Sequence, residues 1–370
     1  MKKKVLFIGR FPPPVHGAAK VNENYFDSKI IRKYFNLEKI RIGCQDNLEK
    51  LGKFNKKRFF EVFSTAKNLK KRLSSFNPDL IYFEIAPTGL AFLRDSIYAL
   101  ICKFFNKKII FQIHARGIPK KVKNAFWKRY YKFVFKNTKM ILLSNLLYPE
   151  VKDIIPKKNI FVLPNGIENN VQENNVNKII NNRNKKKKKT LLFISNMVES
   201  KGALDVLKIC NELNNKKNNF ECLFVGPWQE QGFEEKWKRM LKEYKLEKKC
   251  KYLGPKYRKD KAKILAKTDF LIFPTKYPNE SFPLVILEAF MMGIPVFSYD
   301  QGAIKEIISK NFLGFVSNKK NWKELAKELE RRISKKQKNK EIREHFNMFY
   351  DLKIAEDNLR KIFTKEANSI

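Results

Sequence analysis

Two carboxylates and a run of backbone N–H groups meet within the stretch from Pro274 to Ser298, PTKYPNESFPLVILEAFMMGIPVFS. A short apolar strand, Phe270–Phe273, leads into a loop that carries Glu280, and a helix follows. Pro283 suits the first turn of that helix, because its missing N–H would have no intrahelical partner there. Gly293 suits the stop, and Pro295 prevents continuation. Glu280 then lies just outside the helix N-terminus, and Glu288 a little over one turn inside it. The unpaired N–H groups around Phe282–Val285, added to the helix dipole, favour an anion such as a diphosphate. Carboxylates accept hydrogen bonds from hydroxyls, so one strand–loop–helix unit offers a phosphate cradle beside two anchors for sugar hydroxyls. Phosphate plus sugar hydroxyls describes a nucleotide-sugar. The same spacing also fits two ordinary surface glutamates at a helix start, where acidic residues are common.

The other candidates are single residues. His114 closes the apolar run Ile109–Ile113, at the strand end where open α/β sheets place ligands. A histidine satisfied by a neighbouring backbone group gives the same pattern. His16 lies in a loop between Pro14 and Gly17, with acceptor contact or no role both open. His345 sits in a charged tail and is expected to be solvated. No clustered Asp-x-Asp appears, so no metal site is expected.

These residues need a scaffold, and the apolar pattern supplies one. In the first half Val5–Ile8, Leu80–Phe83, Ile109–Ile113, Met140–Leu143 and Ile160–Leu163 suit buried parallel strands. Helical spacing in Arg58–Leu73 and Ala125–Phe135 lies between them. The stretch Asn169–Lys189, an Asn-rich run ending in Lys185–Lys189, has almost nothing to bury and reads as a solvated linker. The alternation then restarts with strands at Thr190–Ile194, Cys222–Val225, Phe270–Phe273 and Pro295–Ser298. Helices at Gly202–Leu213, Lys259–Ala266 and Leu284–Met292 separate them. The expectation is α/β: two Rossmann-like, doubly wound parallel-sheet domains facing across a cleft, the default site. The divisions are 1–168, a linker 169–189, a second domain 190–344 and a C-terminal helix 345–370. No G-x-G-x-x-G follows Val5–Ile8, which weighs against an ordinary NAD-binding half.

Composition narrows the class further. The 370 residues carry 78 Lys and Arg against 37 Asp and Glu, a net charge of +41, and 43% are hydrophobic, enough for two packed cores. The excess charge is weighted to the part before Asn170, so an anionic partner would meet that half. Lysine greatly outnumbers arginine, and Asn, Ile and Phe are abundant, so a biased genome explains much of the total. No run reaches the roughly 18–20 apolar residues that span a bilayer. The best, Leu90–Phe105, is broken by Arg94 and Asp95. The start, Met1-Lys2-Lys3-Lys4, enters too short an apolar run for a signal peptide. The five cysteines are scattered without a C-x-x-C, which supports neither disulfides nor zinc. A cytoplasmic protein is expected.

Glu280-Ser281-Phe282-Pro283-Leu284 through Glu288-Ala289, with Gly293-Ile294-Pro295-Val296 after, closely resembles the signature of family-4 retaining glycosyltransferases (glycosyl transferases group 1) of the GT-B fold. The two glutamates are separated by seven residues, as in that family. Other matches fall in the family's order. Phe11-Pro12-Pro13-Pro14-Val15-His16-Gly17-Ala18 resembles its loop after the first strand, and His114 its acceptor-side histidine. Leu163-Pro164-Asn165-Gly166 is similar to its hinge-proximal motif. Ser195-Asn196-Met197-Val198-Glu199-Ser200-Lys201-Gly202 is similar to its phosphate-binding loop. Val225-Gly226-Pro227 and Leu253-Gly254 match later turns.

The resemblance implies roles. Glu280 would contact donor-sugar hydroxyls and Glu288 the ribose. Lys201 would neutralise the diphosphate, working with the backbone N–H groups of Phe282–Leu284, and Ser281 and Pro283 would belong to the same donor site. Asn196 and Gly226 would line the donor site. His114 would sit over the donor sugar from the opposite domain, and Gly17 would let backbone approach the phosphates. His16, Gly17 and His114 form the acceptor side. The catalytic set is Glu280, His114 and Lys201, with a UDP- or GDP-sugar as co-substrate and no cofactor. Lysine plus helix-end dipoles can stabilise a departing diphosphate. Where the family has Gly-Arg this chain has Ser195-Asn196, which removes a guanidinium, so either Lys201 carries more of that role or Arg10 or Lys20 helps. Where the family has paired glycines it has Gly17-Ala18.

Two basic–aromatic stretches remain. Phe59, Phe60, Phe63, Leu69 and Leu73 fall along one helical face with Lys57, Arg58, Lys67, Lys70, Lys71 and Arg72 mainly elsewhere. Lys120–Lys136 carries Phe126, Trp127, Tyr130 and Phe133. Either the aromatics pack under the sheet, or the surface meets anionic phospholipid at about 1 kcal/mol per basic residue. The expected acceptor is a lipid-linked saccharide at the inner membrane face, in surface polysaccharide synthesis. A nucleic-acid-binding protein would explain the charge, but no such motif is present. A nucleotide-sugar epimerase on the same fold would explain the donor site, and a scaffold with a dead site would explain Asn196.

Overall fold

The computed structural model describes residues 1–13, 17–43 and 56–368, with the side chains of 56–59 outside the description. The chain forms two compact units: Met1–Gly166 with the segment from Leu352 onward, and Ile167–Asp351.

The first unit is built on a six-stranded parallel sheet in the order β2-β1-β3-β4-β5-β6. Its strands are β1 (Lys3–Gly9), β2 (Phe35–Arg41), β3 (Leu80–Glu84), β4 (Lys108–Gln112), β5 (Lys139–Leu142) and β6 (Ile160–Val162). Leu6 pairs with Ile81 and Ile81 with Ile109, so the apolar runs meet at the sheet centre. Alternate side chains serve opposite faces. Leu6, Ile8, Ile81 and Phe83 pack into a core with residues of the helices Lys56–Ser75, Gly89–Phe104 and Ala125–Phe135. Val5, Phe7 and Tyr82 pack on the other face with Leu359 and Phe363. Those two belong to the helix Leu352–Asn368, which therefore completes the core of the first unit. The Phe363 ring lies 5.8 Å from that of Phe7.

The second unit repeats the plan with the order β12-β11-β10-β7-β8-β9. Its strands are β7 (Lys189–Ile194), β8 (Phe220–Val225), β9 (Cys250–Tyr252), β10 (Phe270–Phe273), β11 (Val296–Tyr299) and β12 (Gly314–Ser317). In place of the solvated linker expected from composition there is a helix, Glu173–Asn184, burying Val176, Ile180 and Arg183. The Arg183 guanidinium donates to the carbonyls of Thr268 (2.7 Å) and Met292 (2.6 Å), which a run of asparagines gives no reason to anticipate. The three strands that the apolar pattern does not reveal, β2, β9 and β12, all lie at sheet edges. An edge strand is only partly covered, so it need not carry the continuous apolar run that a central one must; β6, the remaining edge strand, carries one and is legible.

Among the described residues no helix is long and apolar enough to cross a membrane. His345 is also a correction: it is buried, with its ring beside those of Phe290, Phe312, Phe349 and Tyr350.

Candidate active site

In the second unit the C-terminal ends of β7 and β10 open into two loops, and close backbone packing joins them. After β7 the chain makes a short 3-10 turn, Glu199–Lys201, and passes through Gly202 at φ 90°. A Cβ on Gly202 would lie 2.2 Å from the carbonyl oxygen of Pro274, the first residue after β10. Only glycine permits both that approach and that φ. The Lys276 N–H donates to the Ser200 carbonyl at 2.7 Å, a second tie between the loops.

Lys201 consequently points at Glu280. Its ammonium is 2.6 Å from the carboxylate, with both side chains largely buried. The ammonium also lies over the Tyr277 ring, 4.4 Å from the centroid. Thr275 accepts the Tyr277 N–H (3.2 Å) and donates its hydroxyl to Glu280 (3.4 Å). An ammonium has three donors, so Lys201 can hold Glu280 and still meet a phosphate oxygen.

The Glu280 loop is braced from behind. Gln301 donates to the Tyr277 carbonyl at 2.9 Å, and the Ala303 N–H to the Ser281 carbonyl at 2.8 Å. Between them Gly302 has φ 59°, and a Cβ there would stand 2.4 Å from the Glu280 carbonyl oxygen. The front is tied by Asp205, whose carboxylate meets Lys276 (2.6 Å), Lys208 (3.2 Å) and the Tyr299 hydroxyl (2.9 Å). Burial opposes the Asp205 charge, but hydrogen bonds from Lys276, Tyr299 and Lys208 outweigh it and hold the carboxyl below its ordinary range.

The helix Leu284–Met291 starts beside Glu280, with Phe282 and Ser281 buried ahead of it. Pro283 is the cap rather than the first helical residue, and the Ile286 N–H makes a bond back to the Pro283 carbonyl at 3.2 Å. The N–H groups of Leu284 and Val285 precede that bond, at the positive end of the helix dipole. Glu288 lies farther along the helix, its carboxylate 2.5 Å from the Lys261 ammonium. Asn196 is exposed in the loop after β7. Gly226 has a packing reason: at φ 143°, a Cβ would fall 1.7 Å from the Ser195 carbonyl oxygen. Lys201, Asn196, Glu280, Ser281, Phe282, Pro283 and Leu284 thus sit on neighbouring loops of one unit.

The first unit holds the remaining candidates. His114 follows β4 by two residues and is half-buried. Gly17 and Ala18 open the helix Gly17–Asp27, and Ala18 keeps a negative φ. His16 lies outside the described residues. Arg10 follows β1 directly. It is paired with the fully buried Glu84, and the Arg10 N–H donates to the same carboxylate at 2.9 Å. Burial works against the guanidinium charge, but the Glu84 carboxylate prevails and raises its pKa. Lys20 pairs with Glu23 at 3.3 Å.

Sequence reasoning missed Asp205, Lys261, Thr275, Tyr277, Gln301 and Gly302. Asp205, four residues beyond Lys201 in the first turn of a helix, carried a weak signal, as did the Asp300-Gln301-Gly302 turn after a strand. Lys261 carried none. Among the described residues no group of three or more His, Cys, Asp or Glu is placed to hold a metal ion.

Residues 175–346 match the family model described as glycosyl transferases group 1. No curated protein matches the chain. Among solved structures, a glycosyltransferase from Rickettsia africae is similar over 100% of both chains, with a TM-score of 0.76 at 20% identity. Anabaena HepE in complex with UDP is similar over 98% of this chain and 100% of its own, at 0.74 and 15%. The lipopolysaccharide outer core galactosyltransferase WaaB is similar over 98% and 99%, at 0.71 and 16%. The fold is that of the GT-B glycosyltransferases, with two parallel-sheet units flanked by helices.

Proposed function

We propose that this chain, whose residues 175–346 match the group 1 glycosyl transferase model, is a glycosyltransferase that moves a sugar from a nucleoside-diphosphate sugar to an acceptor hydroxyl with retention at the anomeric carbon. The observation that carries the reading is the Lys201–Glu280 pair beside the start of the helix Leu284–Met291. Lys201 and the N–H groups of Leu284 and Val285 stabilise charge growing on the diphosphate as it leaves, so the residues themselves supply the stabilisation and no metal is invoked. Glu280 accepts hydrogen bonds from donor-sugar hydroxyls, and Glu288 from the ribose. Asn196 lines the phosphate loop and Gly226 shapes it. The bond between the anomeric carbon and the phosphate oxygen breaks on the face where the acceptor oxygen bonds. The acceptor proton passes to the leaving phosphate. His114 and Gly17, with His16, serve the acceptor side.

UDP is the first nucleotide to test, since HepE was solved with it. The acceptor we propose is a lipid-linked saccharide of surface polysaccharide synthesis, reached by a protein peripheral to the inner membrane face. The relation to WaaB, a lipopolysaccharide galactosyltransferase, supports that class of acceptor. The test is thermal stability with UDP-, GDP- and ADP-sugars. A ligand at 100 times its dissociation constant adds about 2.7 kcal/mol. A shift with one nucleotide, lost in Lys201→Ala, is expected; no shift with any would overturn the reading.

A further inference from the structure

We infer that the outer face of the helices Lys56–Ser75, Gly89–Phe104 and Ala125–Phe135 lies against an anionic phospholipid bilayer. The three helices form one layer over the sheet of the first unit. The middle helix holds the third through the Ser96 and Tyr130 hydroxyls, 2.6 Å apart, and the stacked rings of Phe92 and Tyr131, 4.0 Å between centroids. Val62 and Ala66 of the first helix pack on the same core. Residues that turn away from that core share one outward surface.

That surface is apolar where a solvated helix would be polar. Leu90 is 83% exposed, Ile97 46% and Phe104 84%. They recur every seventh residue, so they form one stripe along the middle helix. Phe60 on one flank and Phe126 and Phe133 on the other are also exposed. An exposed apolar surface of this kind on a folded unit marks an interaction site. In the sequence the flanking aromatics stand out, whereas Leu90–Phe105 reads only as a broken membrane span. Of the flanking residues, Trp127 and Tyr130 are partly buried against the core, and Leu69 and Leu73 are fully buried.

Charge selects the occupant. Lys67, Lys70, Lys71, Arg129, Lys132 and Lys136 are exposed around the stripe. Glu61 and Asp95 are the only carboxylates in the three helices, and Asp95 is buried. Basic side chains framing inserted Phe and Leu fit the headgroup and acyl layers of an anionic leaflet. A second copy would set cations against cations. Two of the three stripe residues, Leu90 and Ile97, are aliphatic and give a nucleic acid nothing to stack on, whereas they and the exposed Phe60, Phe104, Phe126 and Phe133 all suit insertion among acyl chains. The stripe begins at Leu90, just past the end of β3, the strand adjoining β4 and His114. A membrane on this face would present lipid-borne hydroxyls near the acceptor end of the sheet, and in that respect the inference rests on the function proposed above.

Co-sedimentation of the full chain with vesicles of phosphatidylcholine, with and without 30 mol% phosphatidylglycerol, tests it. Binding to the anionic vesicles, at least tenfold weaker to phosphatidylcholine alone, is expected. The Ile97→Ser/Phe104→Ser variant should lose at least tenfold in vesicle binding. It should keep the wild-type melting temperature and the UDP-induced shift, since both residues are exposed. Vesicle binding without any nucleotide shift would leave the surface standing and remove the transferase reading. Absence of vesicle binding, or binding unchanged in the variant, overturns the inference. So does a dimer that the two substitutions dissociate, or an RNA oligonucleotide bound through the same residues.

Discussion

The Lys201 ammonium lies 2.6 Å from the Glu280 carboxylate, although the two residues are far apart in the chain. Each is therefore the other's counter-ion before any ligand arrives. Under the function proposed above, a diphosphate would meet a lysine already oriented, and a sugar hydroxyl a carboxylate already fixed.

Replacing either partner leaves the other charged and largely buried. Lys201→Met and Glu280→Gln should each lower stability by about 1–3 kcal/mol. The double variant should cost less than the sum, because no orphaned charge remains. On transfer, Lys201→Met should lower kcat by about 100-fold or more. Urea unfolding of the four proteins and donor turnover check both statements; additive stability losses would show that the pair is not coupled.

Gly302 fixes the back of the Glu280 loop. Gly302→Ala must move a carbonyl that would otherwise be 2.4 Å from the new Cβ. We expect a stability loss of roughly 2 kcal/mol or more, from the overlap and the positive φ together. Turnover should fall as Glu280 shifts. Gly232→Ala is the control, because that glycine has φ 74° but open space around its missing Cβ. It should lose only about 1 kcal/mol and keep its activity. Comparing melting temperature and kcat/KM of the two variants decides the matter.

Asp205 ties the helix Ala203–Asn215 to the loop after β10 through Lys276. Asp205→Asn removes the charge that Lys276, Lys208 and Tyr299 share. Stability should fall by about 1–3 kcal/mol. The wild-type carboxyl is held below its unfolded value, so this contribution is present above about pH 4 and fades as acid protonates it. The gap between wild type and variant should therefore narrow only below that pH, which denaturant titrations from pH 6 to pH 3 will show.

His345 titrates in the opposite sense to an ion-paired histidine. Burial, with Lys310 adding repulsion, pushes its pKa down to about 4 from 6.5. The unfolded chain then takes up the proton first, so stability rises with pH between about 4 and 6.5 and is full above that window. The loss on acidification is at most about 3 kcal/mol. His345→Phe should flatten that part of the stability profile, measured by urea unfolding between pH 4.5 and pH 7.5.

The residues themselves marked the central strands, the Glu280-to-Glu288 unit and the Lys201 loop. Strands buried on both faces must be apolar throughout, and a helix start must carry its cap and its stop, so those features are written locally. The edge strands β2, β9 and β12 were invisible because half-covered backbone makes no such demand on composition. The Asn-rich segment hid a helix because three buried residues, Val176, Ile180 and Arg183, suffice to dock it. His345 looked solvated among charged neighbours until packing enclosed it with aromatic rings. What only the tertiary structure decided is which charges meet: Lys201 with Glu280, Lys261 with Glu288, Asp205 with Lys276 and Arg10 with Glu84. Such pairs depend on how closely two backbones approach. At Gly202 and Gly302 that approach is set by the absence of a single carbon, and its consequence lies some eighty residues away for the first and some twenty for the second.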